Sequence, residues 1–286
     1  MTLQVPPGLQ PMGQRTPLYL RIGLYGFPKQ GKSWESMTFP APLLLNTAAE
    51  GGHDTALHPD GTYLVSAAVI GRTHAAFLRD IPGSVSVVKE FDAWVEYIYR
   101  LALTGQCPWQ TFVVGGFSDL ASMVLEQAEK ENVNHSGAVN GHKAWGDVLS
   151  WYQRTLHLLF SLPLHVIVEL GVKVMMDQDK RDQMLKIEPD LSGRGGRLVL
   201  PRELHGLFFV EKQSVGTYLT HFQPRVSKPQ FYAATRLAAL AFPQAIQDCS
   251  YDNFAQALGL RPIYECDPGH PRCQQGRWPW KVPWHA

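Results

Sequence analysis

The segment that most constrains this chain is Gly26–Ser33, which directly follows an apolar stretch at residues 18–25. Its sequence, GFPKQGKS, fits the pattern G-x-x-x-x-G-K-[ST] at every fixed position, and the apolar stretch is the strand that the pattern requires. In such a loop the backbone amides surround a triphosphate, the lysine reaches its β- and γ-phosphates, and the serine hydroxyl binds Mg²⁺. The sequence therefore predicts an ATP site with Ser33 as the Mg²⁺ ligand, formed by Gly26, Phe27, Pro28, Lys29, Gln30, Gly31, Lys32 and Ser33.

Short apolar runs alternate with amphipathic segments along the first two thirds of the chain. We predict buried strands at 18–25, 43–46, 111–114 and 165–168, and helices at 90–104, 118–131 and 144–161, with Ser118 capping the second helix. Continuous apolar strands separated by helices favour an α/β fold, a mainly parallel sheet flanked by helices. Beyond residue 171 shorter segments such as 216–222 predict antiparallel additions toward the C-terminus.

This pattern divides the chain into three parts. We expect a flexible N-terminal segment at 1–16, an ATP-binding domain at 17–245 and a C-terminal extension at 246–286. The net charge of +1 indicates that any contact with nucleic acid depends on a local basic surface. Because no apolar run is long enough to cross a bilayer and the N-terminus lacks a secretory pattern, we expect a cytoplasmic protein with no membrane partner.

ATP hydrolysis needs a carboxylate that polarises water, in addition to the phosphate loop. Glu50 is the first candidate, because it follows the predicted strand 43–46 and precedes two glycines that give the backbone freedom. We therefore assign catalytic roles to Glu50 and Lys32. The alternative for Glu50 is a solvated loop glutamate.

Several segments in this order resemble the phage RecA-like P-loop ATPases, the short recombinase-type nucleotide-binding proteins of phages. The segments are the phosphate loop, residues 43–52, residues 111–120, Trp145-Gly146 and residues 231–236, so that the similarity spans about 18–240. The resemblance implies a RecA-like core that binds ATP and Mg²⁺. It also implies an oligomer that acts on single-stranded DNA in annealing, recombination or repair, in the host cytoplasm if the chain is phage-encoded.

The chain departs from this family at two positions. Gly116 stands where the family carries a metal-associated aspartate, and the nearest carboxylate, Asp119, belongs to the first turn of the next predicted helix. Ala234 replaces a lysine, whereas Arg236 remains as either an arginine finger that binds ATP across a subunit interface or a surface arginine. Glu169 ends the strand at 165–168, where the resemblance leads us to expect a small polar residue, and is a candidate for the missing carboxylate. Weak hydrolysis follows from the loss of the aspartate.

Arg194 and Arg197 lie in a glycine-rich segment, SGRGGR, and are the candidate contacts to single-stranded DNA. Arginine binds phosphate in a bidentate manner, and glycine lets the backbone adapt to a nucleic acid strand. Acidic residues flanking the segment offset much of its charge, so a solvated loop is the alternative.

The C-terminal region carries two further features. Cys266, His270 and Cys273 offer three zinc ligands, with Cys249 or His285 as a fourth, but their spacing matches none of the common zinc patterns. The final residues, 276–286, contain three tryptophans, which either stack on bases or dock on protein. Two other functions stay open: a nucleotide-gated binding or structural protein without significant turnover, and a small-molecule kinase, which the absence of an arginine-rich lid segment disfavours.

Overall fold

The computed structural model describes residues 19–47, 74–78, 86–135, 137–177, 183–191, 199–214, 217–236, 242–258, 265–266 and 280–281. The strands are β1 (Arg21–Tyr25), β2 (Pro42–Asn46), β3 (His74–Phe77), β4 (Thr111–Gly115), β5 (His165–Leu170), β6 (Val172–Met176), β7 (Met184–Pro189), β8 (Gly206–Ser214), β9 (Thr217–His221), β10 (Gln230–Phe231), β11 (Ala234–Thr235), β12 (Ala245–Gln247), β13 (Glu265–Cys266) and β14 (Trp280–Lys281). The helices are α1 (Lys32–Met37), α2 (Val87–Leu103), α3 (Phe117–Glu131), α4 (Gly141–Ser161) and α5 (Tyr251–Leu258).

Most of the strands in the described part of the chain form one nine-stranded sheet. Its order is β12-β9-β8-β1-β5-β4-β2-β3, with β11 paired to β8. The strands from β8 to β3 are parallel, whereas β9, β11 and β12 are antiparallel to their neighbours. The predicted α/β fold, with a mainly parallel sheet and antiparallel additions toward the C-terminus, is confirmed. A smaller sheet, β10-β7-β6, follows β5.

Alternate side chains of the central strands enter two separate cores, because successive residues of a strand point to opposite faces. In β4, Phe112 and Val114 pack into the core that includes α2, α3 and α4. Val113, between them, packs on the other face in a core that includes Phe39 and Phe254. This burial on both faces explains why residues 112–114 of β4 are continuously apolar.

The helix that follows β4 begins earlier than the sequence suggests. Ser118 is not its cap: the N-cap is Gly116, whose left-handed backbone (φ 69°, ψ 34°) starts the helix directly after the strand. The Ser118 side chain therefore does not cap the helix, and it forms hydrogen bonds with two other segments of the chain. Its hydroxyl donates to the carbonyl of Asp190 at 2.5 Å and accepts from the amide of Gly171 at 2.9 Å.

The C-terminal part of the described chain packs on the segment after α1. The amide of Tyr251 donates to Thr38 Oγ1 at 3.0 Å, and the rings of Tyr251 and Phe39 lie 5.2 Å apart. Since β12 pairs with β9 across residue 246, residues on both sides of the predicted domain boundary belong to one sheet. The predicted division of the chain into three parts stays a prediction. None of the helices in the described part of the chain is long and apolar enough to cross a membrane.

Candidate functional site

Two glycines of the phosphate loop are required by close packing. A Cβ on Gly26 would lie 2.3 Å from the carbonyl oxygen of Val210 in the neighbouring strand β8. A Cβ on Gly31 would lie 2.4 Å from the ring of Tyr218, and the positive φ of Gly31, 94°, further favours glycine. The tertiary structure thus gives a physical reason for both glycines of the motif.

The Lys32 ammonium lies over the beginning of this loop. Its Nζ atom donates to the carbonyl oxygens of Gly26 and Phe27, each at 2.9 Å. Because these carbonyls are neutral, the positive charge remains close to the loop that the motif assigns to phosphate. Lys29 is a second residue of the loop with a left-handed backbone, since its φ is 62°.

The side chain of Glu169 lies next to the serine of the motif. β5 is the immediate neighbour of β1, and its register places Glu169 opposite Leu24. From there Oε2 accepts a hydrogen bond from Ser33 Oγ at 2.8 Å, and Oε1 accepts one from Ser36 Oγ at 2.7 Å. The structure thus brings together the predicted Mg²⁺ ligand and a carboxylate that is 136 residues away in the sequence.

The Glu169 carboxylate is buried, with 5% of the residue exposed. Burial raises its pKa, while the hydrogen bonds from Ser36 and Ser33 and the positive charge of Lys32 lower it. Two hydroxyl donors and a nearby ammonium therefore compensate part of the cost of placing this acid inside the protein.

A second buried acid, Glu35, was not indicated by the sequence. It is 1% exposed, and its Oε2 accepts a hydrogen bond from Thr220 Oγ1 at 2.7 Å. Burial raises the pKa of Glu35 to about 8 and that of the neighbouring Cys249 thiol above its ordinary range. No sequence signal reveals this contact, because Thr220 lies 185 residues away.

The end of β4 carries no carboxylate. The strand ends at Gly115, and Gly116 follows in a left-handed conformation that glycine adopts without strain. The hydroxyl of Thr47, after β2, donates to the carbonyls of Gly115 and Gly116 at 2.9 and 2.8 Å. As the sequence predicts, Asp119 lies in the first turn of α3, where it is exposed.

Arg236 lies at the opposite edge of the sheet from the phosphate loop of its own chain. Its amide donates to the carbonyl of His205 at 2.7 Å, and the amide of His205 donates to the carbonyl of Arg21, the first residue of β1. The loop begins beyond the other end of that strand, about 13 Å away. The Arg236 side chain is exposed, and its backbone lies at the end of β1 that is far from the site its own chain forms.

Three predicted site residues, Glu50, Arg194 and Arg197, lie outside the described residues. The same holds for His270 and Cys273 of the possible zinc site, and only the backbone of Cys266 is described. Cys249, the possible fourth ligand, is 1% exposed and lies beside Glu35. Within the described ranges, no group of three or more His, Cys, Asp or Glu side chains is arranged to hold a metal ion.

The residues beside the loop have the chemistry that Mg²⁺ requires. Mg²⁺ prefers hard oxygen ligands and usually keeps several waters when it is bound with a triphosphate. The Ser33 hydroxyl offers such an oxygen, and the Glu169 carboxylate next to it supplies negative charge. The donor set therefore fits Mg²⁺, which when bound with ATP would neutralise charge on the phosphates.

Comparison with models of protein families finds a match to the AAA domain over residues 18–224, which is most of the chain. The match covers the phosphate loop and the strands from β1 to β9. A search of the curated proteins finds no match.

Proposed function

Because this chain belongs to the AAA domain family, we propose that it is an ATP-binding protein of the phage RecA-like type that acts on single-stranded DNA in annealing, recombination or repair. The family membership indicates nucleotide binding. The observation that carries the ATP-binding part of the proposal is the arrangement of Lys32 over the loop with Ser33 beside Glu169. Together these groups supply a cation for the phosphates and an oxygen ligand for Mg²⁺. The reaction would take place in the cytoplasm.

Contact with DNA is proposed for Arg194 and Arg197. The segment that carries them, 192–198, begins after Leu191. The residue before Leu191, Asp190, is held in place by two hydrogen bonds. It donates through its amide to the carbonyl of Gly171 at 3.0 Å and accepts from Ser118 at 2.5 Å. Gly171 directly follows β5, so Asp190, two residues before the segment, lies at the carboxyl edge of the sheet, which also carries the phosphate loop. DNA bound there would be close to the nucleotide.

The position of Arg236 supports a proposed homo-oligomer. Since this arginine lies at the amino edge of the sheet, it can reach a phosphate only in the site of another subunit. An arginine supplied in that way stabilises the charge that develops on the transferred phosphoryl group. Glu50 is proposed to polarise the attacking water.

A nucleotide-gated binding protein with little turnover is the second candidate function. The glycines at the end of β4 favour it, because they remove a carboxylate that helps to position Mg²⁺. In this alternative ATP changes the affinity for DNA but is released without significant hydrolysis.

Phosphate release with and without single-stranded DNA tests the two functions. The proposed ATPase gives slow release that DNA accelerates, whereas tight ATP binding with no DNA-stimulated release favours the gated binding protein. Failure to bind ATP under any condition would contradict both.

The DNA contact is tested with the double variant Arg194→Ala/Arg197→Ala. Removing two phosphate-binding charges should lower DNA affinity and reduce the slope of log affinity against log salt concentration by about 1.4. Arg100→Ala/Lys130→Ala removes the same charge from two exposed helix positions and serves as the matched control. An unaltered slope in the first variant would place the contact elsewhere.

A further inference from the structure

We propose that Glu169 is a positioning residue for Mg²⁺. The Glu169 carboxylate acts through the Ser33 hydroxyl and supplies the negative charge that the end of β4 lacks. This inference rests on the proposed binding of ATP and Mg²⁺. It assigns to β5 the carboxylate that the resemblance places at the end of β4. The inference follows from contacts within this chain.

The hydrogen bond between Ser33 and Glu169 fixes the direction of the serine hydroxyl. A hydroxyl has one proton to donate and two lone pairs with which to accept. Because Ser33 Oγ donates its proton to Glu169 Oε2 at 2.8 Å, its lone pairs remain available to a cation. A partner that orients a metal ligand in this way also makes the ligand oxygen more electron-rich.

The second carboxylate oxygen holds the acid in place. Oε1 accepts from Ser36 Oγ at 2.7 Å, and the carbonyl of Lys32, 3.0 Å from the same hydroxyl oxygen, shares that single proton. Both hydroxyls belong to α1, the helix that begins inside the phosphate-binding motif. The Glu169 side chain is therefore fixed relative to the loop by two bonds to one helix.

Burial of the Glu169 carboxylate costs free energy unless a partner such as a cation compensates its charge. Only 5% of Glu169 is exposed, and a buried carboxylate loses the solvation that water would provide. Gly115 and Gly116, on the next strand, offer no negative charge to a cation at this edge of the sheet. Glu169 lies on β5, between β1 and β4, so its carboxylate is close to the end of β4, where the expected carboxylate is missing.

The other buried acid near the loop provides a matched control. Glu35 belongs to the same helix as Ser33, but its carboxylate is bonded to Thr220 on β9. A substitution there changes a buried carboxylate without removing the partner of Ser33. Effects of replacing a buried acid in general are thereby separated from effects on the Mg²⁺ ligand.

The test measures ATP affinity of the full chain over a range of Mg²⁺ concentrations and in EDTA. For Glu169→Gln we expect the gain in affinity caused by Mg²⁺ to fall by about tenfold, with unchanged affinity in EDTA. Electron paramagnetic resonance of Mn²⁺ with ATP should show correspondingly weaker retention of the metal. Glu35→Gln should retain the Mg²⁺-dependent gain of the wild-type protein.

A double-mutant cycle with Ser33→Ala identifies the route of the effect. If Glu169 acts through Ser33, the variant Ser33→Ala/Glu169→Gln loses no more Mg²⁺ dependence than Ser33→Ala alone. Additive losses would overturn the proposal, as would wild-type Mg²⁺ dependence in Glu169→Gln. A loss of affinity in EDTA as large as that in Mg²⁺ would also overturn it, because the residue would then shape the loop as a whole.

Two safeguards keep the result interpretable. If Glu169→Gln does not fold, Ser36→Ala removes one of the two bonds that fix the carboxylate, and a smaller loss of Mg²⁺ dependence in the same direction is expected. Wild-type Mg²⁺ dependence in Ser36→Ala would then count against the proposal. If the wild-type chain binds ATP but Glu169→Gln changes nothing, this inference fails while the proposed function stands.

Discussion

The carboxyl ends of β1 and β4 lie in the same sheet, on either side of β5, but they carry different chemistry. β1 leads into a loop with a lysine and a serine at the positions that phosphate and Mg²⁺ require. β4 ends in Gly115 and Gly116, which supply backbone freedom and no charge. The difference predicts that substitutions at the end of β1 change nucleotide binding, whereas substitutions at the end of β4 change mainly the rate of hydrolysis.

The largest effect is expected at the end of β1. Lys32→Ala removes the positive charge over the loop and should weaken ATP binding by about a hundredfold or more. Isothermal titration calorimetry measures this change, and Lys143→Ala, at an exposed position in α4, is the control. Unchanged affinity in Lys32→Ala would contradict the assignment of the phosphate loop.

The close approach of the loop to β8 gives the next effect. Gly26→Ala would place a methyl group 2.3 Å from the backbone carbonyl of Val210, which cannot rotate away as a side chain would. The free energy of unfolding should fall by about 2.5 kcal/mol, and ATP affinity should fall with it. Chemical denaturation measures the first of these changes.

Gly146→Ala is the matched control for this substitution. A Cβ at Gly146, within α4, would meet no atom within 4 Å. Alanine there should stabilise the protein by about 1 kcal/mol, because it favours a helix more than glycine does. If both alanine variants had equal stability, close packing would not explain Gly26.

A smaller effect concerns the support that β1 and β4 share. His165, at the start of β5, accepts a hydrogen bond from the amide of Leu20 at 3.0 Å, and its own amide donates to the carbonyl of Gln110, just before β4, at 2.8 Å. Burial lowers the pKa of His165 from 6.5 to about 3, so the folded protein keeps this histidine neutral. The unfolded chain binds the proton below pH 6.5, and stability therefore falls as the pH decreases from about 6.5 toward 3.

The measurement compares urea unfolding at pH 7.5 and pH 5 in the wild-type protein and in His165→Gln, whose amide oxygen can accept the same bond. The wild-type protein should lose about 2 kcal/mol more than the variant over this interval. Identical losses in the two proteins would show that burial of neutral His165 does not cause the fall in stability at low pH.

The smallest effect is expected at the end of β4. Gly116→Asp introduces a carboxylate at the position where the resemblance expects one, and aspartate tolerates a left-handed backbone better than most residues do. We expect phosphate release to increase by about fivefold, which corresponds to a charge interaction of about 1 kcal/mol. Gly116→Asn keeps the size and backbone preference without the charge, and an equal increase in both variants would rule out a metal effect.

The sequence predicted those features that depend on short segments. The strand and helix positions, the α/β class and the phosphate loop all follow from local periodicity and from one motif, and Asp119 occupies the helix turn that was expected. The cap of α3 was predicted wrongly, because the left-handed turn at Gly116 has no signal apart from glycine itself. The roles of Glu50, Arg194 and Arg197 stay predictions.

The sequence by itself determined that this chain contains a phosphate loop on a parallel sheet, because the motif and the apolar periodicity are local patterns. Only the tertiary structure decided which acid accompanies that loop. The order of the strands places Glu169, rather than a residue of β4, against Ser33, and it places Arg236 at the opposite edge. Such neighbours are fixed by strand pairing between segments more than one hundred residues apart, and no local pattern encodes that pairing.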